Sequence, residues 1–66
     1  MNIKMNGTER CVSDDCLVRD LLAGQQINHA HVVVEINGTI LAKDAYAVTR
    51  IKPDDCIEIL RFVGGG

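Results

Sequence analysis

A chain that ends Val63-Gly64-Gly65-Gly66 offers one reactive group that no side chain crowds, the carboxylate of Gly66. Glycine lacks a Cβ, so three in a row combine maximal backbone freedom with the smallest cross-section. Such a segment can thread a narrow channel and bring an α-carboxylate up to the α-phosphate of ATP. The same residues could equally be a frayed terminus, because chain ends order poorly unless tied down. The choice between these readings depends on what precedes the glycines.

The thiols and imidazoles offer other chemistries. Cys11 and Cys16 are separated by four residues, the first interval of a plant-type iron–sulfur cluster. Only Cys56 remains to join them, and a cluster needs four ligands. Cys11, Cys16, His29 and His31 are a conceivable zinc set by residue type, with His29 and His31 on one face of an extended segment, but their spacing fits no familiar finger. The plainer reading is small buried or half-buried thiols and solvated histidines, with no metal and no cofactor. Tyr46 is expected as a lid over the core with its hydroxyl wet.

The elements that must position the tail follow from turns and periodicity. Asn6-Gly7 and Asn37-Gly38 each supply two residues that tolerate positive φ, as a type I′ hairpin turn requires. The first joins strands over Asn2–Met5 and Thr8–Val12, the second Val32–Ile36 and Thr39–Leu41. Val32, Val34 and Ile36 share one face, Val33 and Glu35 the other. Between the hairpins Val18, Leu21 and Leu22 recur at helical spacing. Ser13, Asp14 or Asp15 is expected to cap this short helix, and Gly24 to end it in a left-handed conformation. Ala42–Val48 has no clean period and reads as a loop with one helical turn near Tyr46. Pro53-Asp54-Asp55 makes a turn. Cys56–Phe62 is the last strand, with Ile57 and Ile59 inward, so that Leu60 and Phe62 point out and suggest a partner surface beside the tail. The result is an α+β domain of one helix on a mixed sheet of four to five strands over residues 1–63, followed by a flexible glycine tail over 64–66.

Composition narrows the function. With 66 residues, 47% of them hydrophobic, the chain forms one modest core, which supplies roughly 3–5 kcal/mol of net stability. A deep, water-excluding pocket is out of proportion to such a body, so a carrier or binding module is expected rather than an enzyme. The net charge is −2 and the seven basic residues are scattered singly, unlike the basic clusters of nucleic-acid binders. No stretch approaches the roughly 20 apolar residues that span a bilayer. An odd number of cysteines and an N-terminus without an apolar run suit the cytoplasm.

Val32–Leu41 followed by Thr49–Gly66 resembles the ThiS family of sulfur carriers for the thiazole ring of thiamine, and Ile3, Asn6-Gly7, Val12 and Val18-Arg19-Asp20-Leu21-Leu22 fit the same pattern. The likeness covers essentially the whole chain; its specific part is the hairpin, the Ile57-Glu58-Ile59 strand and the glycine end occurring together. It implies a ubiquitin-like β-grasp fold. It also implies that an adenylating partner of the ThiF type uses MgATP to convert the Gly66 carboxylate into an acyl-adenylate. Sulfur from a cysteine-desulfurase relay then displaces AMP, and thiazole synthase (ThiG) consumes the resulting thiocarboxylate.

The chain departs from that pattern at three places. Asp54 stands where glycine is common, which costs about 1 kcal/mol if that backbone is left-handed. Leu17 stands where threonine is frequent, leaving the helix cap to a residue upstream. Gly64 extends the usual glycine pair. Other readings are a related β-grasp carrier such as the small subunit of molybdopterin synthase, a ubiquitin-like protein modifier, and a non-covalent interaction module.

Overall fold

The computed structural model describes residues 1–61, with the backbone alone at His29. Both Asn-Gly pairs form the expected turns: Asn6 and Gly7 have φ of 51° and 81°, Asn37 and Gly38 of 52° and 85°. With both central residues at positive φ, the strands close on two-residue loops, Met5 opposite Thr8 and Ile36 opposite Thr39. β1 (Asn2–Met5) and β2 (Thr8–Cys11) form the first hairpin, β3 (Val32–Ile36) and β4 (Thr39–Leu41) the second. β5 (Cys56–Arg61) enters between them, and the sheet runs β2-β1-β5-β3-β4. It is antiparallel to β3 over five residue pairs and parallel to β1 over two, Lys4 with Cys56 and Met5 with Ile57. This mixed, five-stranded sheet with its last strand in the centre is the β-grasp.

The face toward the helix carries the core. Ile3, Met5, Val32, Val34, Ile57 and Ile59 alternate inward from four-residue to six-residue strands and meet Val18, Leu21 and Leu22 of helix α1 (Val18–Gly24). Tyr46 belongs to this core. It is 3% exposed, its hydroxyl included in the burial, so the expectation of a wet hydroxyl at a lid is overturned. The one helical turn expected near it is a 3-10 turn over Lys43–Ala45.

The helix ends differ from expectation at both termini. The N-cap is Leu17, whose side chain cannot accept a hydrogen bond, and none of Ser13, Asp14 and Asp15 takes that role. The orphan N–H groups go to the following loop instead: Val18 donates to the carbonyl of Thr49 and Arg19 to that of Tyr46, each at 3.0 Å. Inside the first turn the Asp20 carboxylate accepts from the Leu17 N–H at 3.3 Å. Asp15 pairs with Arg50 at 2.8 Å and Asp14 with the N-terminal amine at 3.3 Å. At the other end Gly24 is the last helical residue and has no positive φ. The left-handed residue is Gln26, at φ 58°. Its N–H donates to Ala23 at 3.0 Å and that of Ile27 to Leu22 at 2.9 Å, the paired bonds of a Schellman motif.

Asp54 is left-handed at φ 66°. Pro53 before it and the bond from the Asp55 N–H to the Lys52 carbonyl, 3.2 Å, give the pattern of a type II turn. The Asp55 carboxylate reinforces it by accepting from the Lys52 N–H at 2.8 Å.

Candidate functional site

β5 is the last described strand, and Phe62-Val63-Gly64-Gly65-Gly66 follow it in sequence. Residues 64–66 and Phe62 lie outside the described residues, which end at Arg61. Up to that point β5 alternates as expected. Ile57 and Ile59 are buried, at 1% and 8% exposure, while Leu60 faces out at 48%.

Register assembles a patch around Leu60 that alternation within one strand did not reveal. Directly paired residues put their side chains on the same face of a sheet. Leu60 is paired with Val33, Glu58 with Glu35, and Glu35 in turn with Ile40. Leu60, half-buried Val33 and Ile40, 68% exposed, therefore share the outer face with the two glutamates. Val33 and Ile40 escaped the sequence reading, although the two-residue turn at Asn37-Gly38 sets Glu35 opposite Ile40. Val48 is also exposed, at 75%, on the loop after Tyr46, and nothing in the structure explains it.

The thiols are dispersed. Cys16 is buried in the core, with its Sγ donating to the Leu17 carbonyl at 3.4 Å. Burial, with a smaller contribution from the Asp20 carboxylate, pushes its thiol above the ordinary value and so disfavours the nucleophilic thiolate. Cys11 and Cys56 are exposed rather than half-buried, each on the outward parity of its strand. His29–His31 forms a 3-10 turn, not the extended segment that would set both imidazoles on one face. Among the described residues no three of His, Cys, Asp and Glu gather closely enough to hold a metal ion. No helix among them is long and apolar enough to cross a membrane.

Comparison with known proteins draws on the whole chain, tail included. The ThiS family model matches residues 3–66. The sulfur carrier protein ThiS of Bacillus subtilis is 37% identical over 65 residues, covering 97% of this chain and 98% of that protein. A thiazole synthase of Paramagnetospirillum magneticum is 36% identical over all of this chain, which matches only 20% of that longer protein. The crystal structure of the thiamine biosynthesis protein ThiS from Geobacter metallireducens superimposes with a TM-score of 0.85 at 36% identity, with both chains fully covered. The chain belongs to the ThiS family of sulfur carrier proteins.

Proposed function

We propose that the chain carries sulfur for thiamine biosynthesis on the carboxylate of Gly66, as a consumed and regenerated cosubstrate rather than a catalyst. The observation that carries this reading is the family match, which extends to residue 66 and so includes the glycine end. A carboxylate is a poor electrophile because its charge is delocalised and oxide is a poor leaving group. Attack by a Gly66 oxygen on the α-phosphorus of ATP releases pyrophosphate and leaves a mixed anhydride with AMP. The terminal sulfur of a persulfide delivered by a cysteine-desulfurase relay then attacks the acyl carbon and AMP departs. A thiol of the relay cleaves the S–S bond of the acyl disulfide so formed, itself ending in a disulfide. The resulting thiocarboxylate keeps a soft nucleophile tethered to a protein handle for the acceptor enzyme.

The partners follow from that chemistry: an adenylating enzyme of the ThiF type with MgATP, the sulfur relay, and thiazole synthase, all in the cytoplasm. Likeness to part of a thiazole synthase supports the last, since carrier and acceptor in one chain meet at high effective concentration. Residues 1–63 act as the handle and 64–66 as a flexible tail, with Gly64 and Gly65 passing through the partner's channel. Leu60 and Phe62 dock the adenylating enzyme, and the exposure of Leu60 beside Val33 and Ile40 supports an apolar contact there.

Removing Gly66, or amidating its carboxylate, is the test. Deletion moves the carboxylate back by up to about 3.5 Å, and misplacements of about 1 Å cost on the order of a hundredfold in rate. ATP–pyrophosphate exchange with the adenylating enzyme is expected to vanish while the fold persists. Undiminished exchange with the amide would contradict the proposal.

A further inference from the structure

We propose that Asn6 is a positioning residue that aims the end of β5, and with it the tail, at the adenylating centre; this rests on the Gly66 reading. β1 stops at Met5, so its ladder with β5 ends at Ile57. Beyond that point, among the described residues, only β3 pairs with β5 as a strand. Asn6 continues the missing side. Its backbone N–H donates to the Ile57 carbonyl at 2.9 Å. Its side-chain Oδ1 accepts from the Ile59 N–H at 2.8 Å, and its Nδ2 stands 3.5 Å from the Ile59 carbonyl, the limit of a hydrogen bond. One amide thus presents an acceptor and a donor to Ile59, as the next residue of a paired strand would.

The turn does not itself require this side chain. At φ 51° glycine would serve as well, so the amide's distinct contribution is the grip on Ile59. Ile59 lies seven residues before Gly66. A reacting group on a flexible tether depends on where the tether leaves its anchor, and orientation supplies much of the rate in such transfers. Asn37 provides an internal control. It holds the opposite end of β5, its Oδ1 accepting from the Cys56 N–H at 2.9 Å and its Nδ2 donating to the Asp55 carboxylate at 3.0 Å.

The experiment compares Asn6→Gly, Asn6→Asp and Asn37→Gly in the full chain, all three compatible with a positive-φ turn. ATP–pyrophosphate exchange with the ThiF-type enzyme is resolved into kcat and KM for the carrier, and amide exchange at Ile59 is followed by NMR. Asn6→Gly is expected to lose at least about tenfold in kcat with KM within about threefold, because orientation rather than docking fails. Its Ile59 amide exchanges faster. Asn6→Asp, which keeps the acceptor, recovers most of the rate, and Asn37→Gly turns over within about twofold of wild type. Wild-type kcat in Asn6→Gly, or an equal loss in Asn37→Gly, would overturn the role of Asn6. Absence of exchange with the wild-type chain would overturn the Gly66 reading and this inference with it, an outcome no variant can mimic.

Discussion

Burial decides which of the three thiols can react. Cys16 sits in the core, where desolvation and then the Asp20 carboxylate raise its pKa from the ordinary 9.0. The folded state holds this proton where the unfolded chain releases it, so stability falls as pH rises past the ordinary value. Urea unfolding midpoints should decline between about pH 8 and about pH 10 more steeply in the wild type than in Cys16→Ala. In iodoacetamide at neutral pH, Cys11 and Cys56 should be alkylated in the native protein and Cys16 only after unfolding. Equal labelling of all three, or parallel pH profiles, would contradict the placement of Cys16. Residue type alone left the three cysteines equivalent; exposure separates them, because Cys11 and Cys56 fall on the outward parity of β2 and β5 and Cys16 falls in the core. The turn at Pro53-Asp54-Asp55 was legible from residue type, whereas its left-handed backbone at Asp54 was raised only as a condition, by the glycine common at that place in the family pattern.

Helix α1 places its glycine two residues away from where the backbone is left-handed. Gly24 occupies a helical position with open space around a built Cβ, while Gln26 takes the positive φ of the Schellman motif. Glycine in a helix costs roughly 0.5–1 kcal/mol relative to alanine, and a left-handed residue with a Cβ costs roughly 1–2 kcal/mol. Gly24→Ala and Gln26→Gly should each stabilise the protein, together raising the thermal midpoint by about 4–8 °C per kcal/mol gained for a domain this size. A fall in midpoint for either substitution would contradict the assigned helix end. The strands were readable because an Asn-Gly pair sets register and alternation sets the face. The start of the helix was not, because its partners are remote: the carbonyls of Thr49 and Tyr46 satisfy Val18 and Arg19, and no local pattern near Leu17 announces a loop some thirty residues away.

At the scale of the whole molecule, two hairpins flank one central strand, β5, after which the sequence continues to the proposed site at Gly66. The sheet's outer face carries the apolar patch around Leu60, and the proposed docking there separates affinity from stability. Leu60 is half covered in the free chain, so its replacement by serine costs on the order of 1 kcal/mol of fold stability. Buried as an anchor in a complex, it contributes ~2 kcal/mol or more, as does Phe62. Leu60→Ser with Phe62→Ser should therefore weaken binding to the adenylating enzyme by at least about a hundredfold, at 1.4 kcal/mol per tenfold. A double variant that unfolds, or binds as before, rules out this docking face. The central claim is that sulfur resides on Gly66, and intact-mass and fragmentation mass spectrometry of the protein isolated from its native cell tests it most directly. A thiocarboxylate, with one oxygen of the Gly66 carboxylate replaced by sulfur and all three cysteines unmodified, is the expected result. Sulfur found on Cys11, Cys16 or Cys56 with an unaltered Gly66, or an isopeptide linkage from Gly66 to another protein, would contradict it.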